Sequence, residues 1–370
     1  MKLSVFPFIL RAASTVLLTA SVAGLTLPST PTFACSAFRM PVSEGRVLVG
    51  RNFDWDYGHG LIVINKRGVS KTAFGLHPSD TASWTSKFGS LTFNQAGREL
   101  PYGGMNEKGL MIEVLWLGWT AWPVTPAPSI NEVQWIQNQL DQRSSVQDLI
   151  THLSDVRILS AFAKVHFFVC DASGECATVE GLGDHLEVHT GATLPYAALT
   201  NDTYAGSANY VSNTLKNSCA AVPAGSTRSL DRFARVSCAA ASVVAGESLA
   251  DETARVEETL DSVAQGSYTK WQIVYNLTDK TISIRTREAP LSKIVRLSAF
   301  DFSCATPVKV LDLNAVVRQT TDVSSSFTDY TQSANRSIVE PSLLTGFAHL
   351  PQPVVDKIVT FPESLTCVAP

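Results

Sequence analysis

The chain has 370 residues, a formal net charge of −4 and seven cysteines. Its length is enough for one large domain or two smaller ones. The slight acidic excess argues against nucleic acid and anionic membrane as partners, because both attract basic surfaces. No apolar run after the first 34 residues is long enough to cross a bilayer, so the sequence predicts no membrane span.

The first 34 residues have the layout of a secretory signal peptide. Lys2 and Arg11 give a positive start, residues 12–27 are uncharged and mostly apolar, and the small residue Ala34 stands at the end. The apolar stretch is shorter than the roughly 20 residues of a membrane anchor and contains Ser, Thr and Gly. We therefore predict that residues 1–34 are removed and that the mature protein, residues 35–370, is secreted or periplasmic.

Cleavage after Ala34 would make Cys35 the first residue of the mature chain. A free α-amine has an unperturbed pKa near ~7.7–8.0, so it can take the proton of the adjacent thiol without a histidine. A lipoprotein signal would also place Cys35 first but would block both groups with lipid. Thr32 stands where such signals usually carry Leu, which favours a free, reactive cysteine.

The other six cysteines allow 15 pairings. An exported protein favours disulfides over thiols. Proximity in sequence suggests Cys170 with Cys176 across a turn and Cys219 with Cys238 around a short loop, which leaves Cys304 with Cys367. The alternative is that all seven are buried free thiols, which fits an oxidising compartment less well.

Five apolar stretches in the first third of the mature chain are typical of β-strands. They are residues 35–40, 46–52, 61–66, 90–95 and 110–117. Between the last two, the stretch from Pro101 to Gly109 is rich in turn-forming residues and is expected to connect strands. The pair Gly103-Gly104 lies there and precedes a strand, so we interpret it as a turn rather than as a phosphate-binding loop.

Helical periodicity follows. Ser129 to Glu132 fits a capping box before a helix over 133–140, and Ser145 predicts the start of a second one. Strands are predicted over 164–170 and 176–180, joined by a hairpin, over 196–200, and again over 271–277, 281–286 and 294–300; helical patterns fill 209–263. From about residue 315 we expect an irregular tail. This order predicts a single α+β domain with two sheets.

An N-terminal cysteine nucleophile needs three kinds of neighbour. It needs an anion near its amine, positive charge near its sulfur, and a donor for the oxyanion of the tetrahedral intermediate. Asp54 is a candidate for the first, Arg51 and Arg232 for the second, and Asn201 for the third. Spacing alone does not select them, since each arginine fits a surface ion pair equally well.

Metal chemistry has weak support in the sequence. Asp54, Asp56 and His59 offer three donors within six residues, but a strand end with one structural acid explains them as well. We predict no metal and no cofactor.

Five motifs occur in order along the chain: Cys35, then RNFD at 51–54, MNEKGL at 105–110, LTN at 199–201 and DRFAR at 231–235. Together they resemble the choloylglycine hydrolase and penicillin V acylase family of N-terminal-nucleophile amidases, from Cys35 to about Asn314. The resemblance implies a four-layer αββα sandwich and hydrolysis of linear amide C–N bonds.

The resemblance also implies a role for each candidate. Cys35 would be the nucleophile and, through its amine, the base, and Asp54 would bind that amine. Arg51 and Arg232 would lie beside the thiol. The oxyanion donors would be the side chain of Asn201 and the backbone N–H of Trp116.

Two departures from the family pattern are informative. Trp116 stands where bile-salt hydrolases tend to have Asn and Gram-positive penicillin acylases Tyr, and Trp55 follows Asp54 directly. Two indoles predict a pocket for an apolar or aromatic acyl group. The interval from Asn201 to Arg232 is about twenty residues shorter than in Gram-positive members. In the Gram-positive members the additional segment of this interval wraps around neighbouring subunits. Whether this chain forms the homo-tetramer that the resemblance implies therefore stays open.

Both departures resemble the Gram-negative penicillin V acylase branch, which is associated with penicillin V and N-acyl homoserine lactones. The sequence thus predicts an exported amidase for a small-molecule amide. One alternative is a hydrolase of conjugated bile salts, whose rigid sterol Trp116 would obstruct. Another is a non-catalytic exported binding protein of the same fold.

Overall fold

Two large β-sheets with helices packed against them make up most of the described chain. The computed structural model describes residues 34–42, 45–74, 80–241, 246–344 and 349–368. The predicted signal peptide, apart from Ala34, lies outside these residues. The described residues from Ala34 onward belong to one compact unit.

The strands are numbered β1 to β21 in chain order. The first ten are Ser36–Pro41, Val47–Asp54, Leu61–Asn65, Val69–Thr72, Ser83–Thr85, Ser90–Asn94, Pro101–Asn106, Met111–Trp116, Ser129–Asn131 and Arg157–Leu159. The others are Val165–Cys170, Cys176–Gly181, Leu186–Thr190, Ala198–Leu199, Thr269–Asn276, Thr281–Thr286, Lys293–Arg296, Lys309–Asp312, Thr321–Asp322, Thr328–Asp329 and Thr366–Cys367.

The α-helices are numbered α1 to α7. They are Glu132–Gln142, Val146–Thr151, Tyr204–Asn209, Ser229–Ala240, Leu249–Ser262, Gln332–Val339 and Gln352–Thr360. π-Helical turns extend α3 over Tyr210–Thr214 and α6 over Glu340–Leu344. Among the described residues, none of the helices has both the length and the apolar composition required to cross a bilayer.

The two large sheets face each other. The seven-stranded sheet has the order β14-β1-β2-β15-β16-β17-β19, and the nine-stranded sheet has the order β13-β12-β11-β8-β7-β6-β3-β18-β20. Tyr275 of the first sheet meets Phe93 of the second edge to face, with ring centroids 6.0 Å apart. Helices α4 and α5 pack on the first sheet and α1 on the second. The order of layers is therefore helix, sheet, sheet, helix, as predicted.

Three hydrophobic clusters hold these layers together. The first lies mainly between the sheets and includes Cys35, Phe53 and Leu115. The second joins α1 and α2 to the nine-stranded sheet, with Trp135 stacked on Phe167 at 4.3 Å. The third joins the C-terminal helices to the same sheet; it includes Leu61, Leu100, Val133, Ile338 and Val355.

Most predicted strands are present, but residues 101–109 differ from the expectation. Residues 101–106 form strand β7 in the middle of the nine-stranded sheet instead of a connecting turn. A Cβ on Gly103 would lie 2.3 Å from the carboxyl carbon of Glu113 on β8. Glycine thus makes room here for a side chain of the adjacent strand, which a local pattern does not reveal.

The start of α1 also differs. Ser129 belongs to a short strand and its hydroxyl donates to the Asp80 carbonyl, 2.8 Å away. Asn131 is the N-cap, because its side chain accepts from the Gln134 N–H at 2.8 Å. The Glu132 carboxylate accepts N–H groups from residues 161–163 and so fixes the chain before β11. The second predicted start is confirmed, with Ser145 capping α2.

The expected irregular tail from about 315 contains ordered structure. Short strands occupy 321–322 and 328–329, and α6 and α7 follow. Buried residues of α6 are few and include Asn335, Ile338 and Val339. The stability of α6 and α7 therefore comes from packing in the third cluster rather than from a strong local pattern.

The three suggested disulfides are all formed. They join Cys170 to Cys176, Cys219 to Cys238 and Cys304 to Cys367. Cys35 is the remaining cysteine; it is free and buried. The last bridge fastens β21 beside β4, where Cys367 pairs with Val69.

Candidate active site

Cys35 lies at the start of β1, between the two sheets, and is 5% exposed. Its backbone nitrogen, here part of a peptide bond with Ala34, donates to the side-chain oxygen of Asn201 at 2.8 Å. This nitrogen stands where the α-amine of the predicted mature protein would be. Cys35 is thus held in place by Asn201, a residue of another of the ordered motifs.

Arg232 and Asn201 lie on one side of Cys35. Arg232, on α4, donates to the Cys35 carbonyl at 2.6 Å, to the Ser36 hydroxyl at 2.7 Å and to the Asn201 side-chain oxygen at 2.7 Å. The side-chain nitrogen of Asn201 donates one hydrogen to the Trp116 carbonyl at 2.9 Å. A primary amide carries a second hydrogen, so Asn201 has a donor left for a substrate.

Arg51, on β2, acts on the Cys35 thiol through its charge. Its guanidinium is ion-paired with Glu113 and donates to the carbonyls of Asn52 at 2.6 Å and Val114 at 2.7 Å. Tyr275 donates its hydroxyl to the second oxygen of Glu113. Burial raises the pKa of Glu113 to about 7, although Arg51 and Tyr275 lower it. Arg51 is therefore fixed by a carboxylate that crosses from one sheet to the other.

Asp54 ends β2 and is 1% exposed. One carboxylate oxygen accepts from the Thr269 hydroxyl, and the other is buried without a hydrogen-bond partner. Burial raises the pKa of Asp54 to about 7 against the opposing effects of Arg232, Thr269 and Arg51. A buried carboxylate oxygen without a donor is costly unless a cation or donor reaches it.

The electrostatic setting of the thiol is mixed. Burial raises the pKa of Cys35, and the Asp54 charge acts in the same direction. Arg51, the backbone N–H of Asp54 and Arg232 oppose this by stabilising the thiolate. The two arginines thus supply the positive charge that a reactive cysteine requires.

An apolar pocket opens beside Cys35. Near the thiol it is lined by Phe53, Trp55, Leu115, Trp116 and Val165. Its other side is formed by residues of the third cluster, among them Ala96, Leu100, Val133 and Leu343. The two predicted indoles therefore lie in the pocket wall. Such a lining suits an apolar or aromatic group.

Sequence reasoning missed three residues of this site. Glu113 contacts Arg51, Thr269 contacts Asp54, and Tyr275 contacts Glu113, but none of the three was selected. Glu113 left a signal, because it is an acidic residue inside the otherwise apolar stretch LMIEVLWL. A charged residue in such a strand is expected to be paired. Thr269 and Tyr275 left none.

The metal alternative depends on Asp54, Asp56 and His59. In the part of the chain that the structure describes, no group of three or more His, Cys, Asp or Glu side chains could hold a metal ion.

This geometry defines a class: an αββα fold with a cysteine immediately before strand β1 and two buried arginines that act on it. The sequence model of the linear amide C–N hydrolases, choloylglycine hydrolase family, matches residues 35–217. A curated relative, penicillin V acylase from Pectobacterium atrosepticum, is 26% identical over 202 residues. That alignment covers 49% of this chain and spans about half, 52%, of the relative.

Solved structures agree with this assignment. The structure of penicillin V acylase from Agrobacterium tumefaciens superposes with a TM-score of 0.71 at 25% identity, covering 80% of this chain and 98% of that one. A mutant of conjugated bile acid hydrolase from Clostridium perfringens shares the fold, with a TM-score of 0.64 at 16% identity over 78% of this chain and 98% of its own. Residues 35–217 thus match the choloylglycine hydrolase family of linear amide C–N hydrolases, and the fold of the described chain agrees with that match.

Proposed function

We propose that this chain is an exported amidase that hydrolyses a linear amide C–N bond with Cys35 as its N-terminal nucleophile. The observation that carries the proposal is the setting of Cys35. It is the free one of seven cysteines, it lies between Arg51, Arg232 and Asp54, and it borders an apolar pocket. The family match begins at residue 35, which supports removal of residues 1–34.

In the first half of the reaction the thiol proton passes to the α-amine. The sulfur then attacks the amide carbonyl carbon, and the oxyanion takes up the donors of Asn201 and the Trp116 backbone. Arg51 and Arg232 stabilise the thiolate, and Asp54 holds the ammonium. The C–N bond breaks as the ammonium returns its proton to the leaving nitrogen, which leaves a thioester on Cys35.

In the second half a water molecule gives a proton to the α-amine. Its oxygen bonds to the thioester carbon and the C–S bond breaks. The ammonium returns the proton to the thiolate, so the acid is released and both the thiol and the free amine are restored. No histidine is needed at any step. The apolar pocket favours acyl groups such as phenoxyacetyl or a linear alkyl chain.

The test is amine release by the protein that begins at Cys35. The substrates are penicillin V, a long-chain N-acyl homoserine lactone and glycocholate. We expect cleavage of the first two, and Cys35→Ser should lower kcat by roughly 10²–10⁴-fold or more. The N-terminal mass of the purified protein shows whether residues 1–34 are absent and whether lipid is attached.

A matched control keeps the thiol but blocks the amine. The form that begins at Ala34 retains Cys35 in a peptide bond, so it should be inactive on the same panel. Equal activity of the two forms would remove the amine from the mechanism. Cleavage of glycocholate alone would favour the bile-salt alternative, and binding without turnover of any substrate would favour a non-catalytic protein.

A further inference from the structure

The far wall of the apolar pocket includes one residue, Leu343, from a segment that lies outside the region matched by the family. Cys35, Phe53 and Trp116 at the near end fall within residues 35–217, whereas Leu343 does not. Leu343 lies in the π-helical turn that follows α6 and is 1% exposed. The C-terminal segment therefore contributes directly to the surface that an acyl group would contact.

The pocket runs from the first hydrophobic cluster to the third. Cys35 belongs to the first cluster, and Leu343 belongs to the third together with Leu100 and Val133. An acyl chain whose carbonyl carbon is at the thiol would thus extend toward Leu343. The cavity is small, about 50 Å³, which is room for roughly four ordered waters. In such a space each side chain of the far wall, Leu343 among them, limits how much chain is accommodated.

The position of Leu343 is fixed rather than loose. The fully buried Asn335 of α6 accepts the Arg98 N–H at 2.8 Å and donates to the Val359 carbonyl of α7 at 3.0 Å. It thereby joins both C-terminal helices to the loop between β6 and β7, which supplies Ala96 and Leu100 to the pocket. The Leu350 N–H also donates to the Leu343 carbonyl at 2.7 Å.

The same loop is held from the opposite side. Glu99, with φ of 74°, forms a buried ion pair with Lys71, and Lys71 also pairs with Asp141 of α1 at 2.9 Å. A Cβ on Gly97, whose φ is 114°, would lie 3.0 Å from Val339 of α6. The loop and the C-terminal helices are therefore in close contact, and the wall they form has little freedom to move.

We propose that Leu343 is a specificity-determining residue that sets the length of the acyl chain the enzyme accepts. This inference rests on the proposed amidase function and deepens it. Chains that end before Leu343 fill the cavity, and longer chains collide with its side chain. The substrate class is an amide of a linear aliphatic acid whose chain length matches the distance from Cys35 to this wall.

The test compares Leu343→Ala with Leu344→Ala. Leu344 is the neighbouring residue of the same turn; it packs against the third cluster but does not line the pocket. Amine release is measured for homoserine lactones with linear acyl chains of increasing length. Each buried methylene is worth about fourfold in affinity. Leu343→Ala should therefore raise kcat/KM for a chain two carbons beyond the wild-type optimum by about tenfold relative to that optimum.

Ratios within one variant cancel any loss of folded protein. A second readout needs no turnover: the affinity of linear carboxylic acids of the same lengths is measured by calorimetry in the Cys35→Ser background. An unchanged length profile of Leu343→Ala in both assays would overturn the inference. Suppose that Leu343→Ala shifts the chain-length dependence of carboxylic acid affinity, but no variant releases amine. That result would support the role of Leu343 in the pocket wall and overturn the proposed function. A shift in Leu344→Ala equal to that in Leu343→Ala would also overturn the specific role of Leu343.

Discussion

At the scale of single residues, Asp54 is the group whose chemistry depends most on whether the chain is cut before Cys35. In the described chain the Cys35 nitrogen is a peptide N–H bound to Asn201, and one Asp54 oxygen has no partner. Cutting would turn that nitrogen into an ammonium group. If this group binds Asp54, it supplies the missing donor and a positive charge.

This leads to a prediction about the pH dependence of stability. Burial raises the pKa of Asp54 in the folded state from 3.8 to about 7. A raised folded pKa gives stability that is present below the unfolded value and is lost as pH rises through the folded one. The form that begins at Ala34 should therefore lose up to about 4 kcal/mol of unfolding free energy through Asp54 between pH 4 and 7.

The form that begins at Cys35 should lose less, because its ammonium lowers the pKa of Asp54. Urea unfolding of both forms at several pH values in this window measures the difference. Asp54→Asn should make the two forms alike. Parallel curves for the two unmutated forms would contradict contact between Asp54 and the amine.

At the scale of secondary-structure elements, the pair β7 and β8 decides how Arg51 is held. Glu113 of β8 reaches Arg51 in the facing sheet, and its carboxylate lies over Gly103 of β7. No side chain larger than hydrogen fits at residue 103 while Glu113 keeps this position. Gly103 thus leaves the space in which Glu113 can pair with Arg51 of the facing sheet.

Gly103→Ala should therefore inactivate the enzyme although residue 103 does not touch Cys35. The new methyl group would displace Glu113 and leave Arg51 buried without its partner, at a cost of about 3–5 kcal/mol. Denaturant unfolding measures this cost, and amine release measures the loss of kcat. Because Glu113→Ala removes the clash, the double variant should cost clearly less than the sum of the two single variants. Additive costs would show that Gly103 acts independently of Glu113.

The same elements show what could be predicted from the sequence. Strands over 46–52 and 110–117 were predicted because their apolar residues are largely consecutive in sequence, and β2 and β8 lie there. Strand β7 was not, because the reason for Gly103 lies on a neighbouring strand. Of the site, Cys35, Arg51, Asp54, Asn201 and Arg232 came from ordered motifs and are brought together by the fold. Glu113, Tyr275 and Leu343 depend on contacts between distant segments, which spacing does not encode.

At the scale of the whole molecule, the C-terminal segment links the stability of the chain to the shape of the pocket. It passes along the third cluster, contributes Leu343, and ends at β21 beside β4. The bridge from Cys304 to Cys367 spans 63 residues, whereas the bridges from Cys219 and from Cys170 span 19 and 6. Longer loops lose more entropy when they are closed, so this bridge restrains the unfolded chain most.

We therefore expect the three disulfides to contribute differently. In the chain-entropy treatment, replacing both cysteines by alanine should cost about 4 kcal/mol for Cys304 and Cys367, about 3 for Cys219 and Cys238, and about 2 for Cys170 and Cys176. Denaturant unfolding of the three double variants gives this order. Loss of the Cys304–Cys367 bridge should also weaken the discrimination between acyl chain lengths, because it frees the end of the segment that carries Leu343.

The variant without the Cys219–Cys238 bridge is the matched control, since that bridge lies between α4 and the chain before it. Its length profile should equal that of the wild type even though its stability is lower. If both double variants broaden the profile equally, discrimination follows global stability and not the C-terminal wall. If only the loss of Cys304–Cys367 broadens the length profile, the segment after residue 330 has two roles. It stabilises the sheet against which it packs, and it limits the length of the acyl chain.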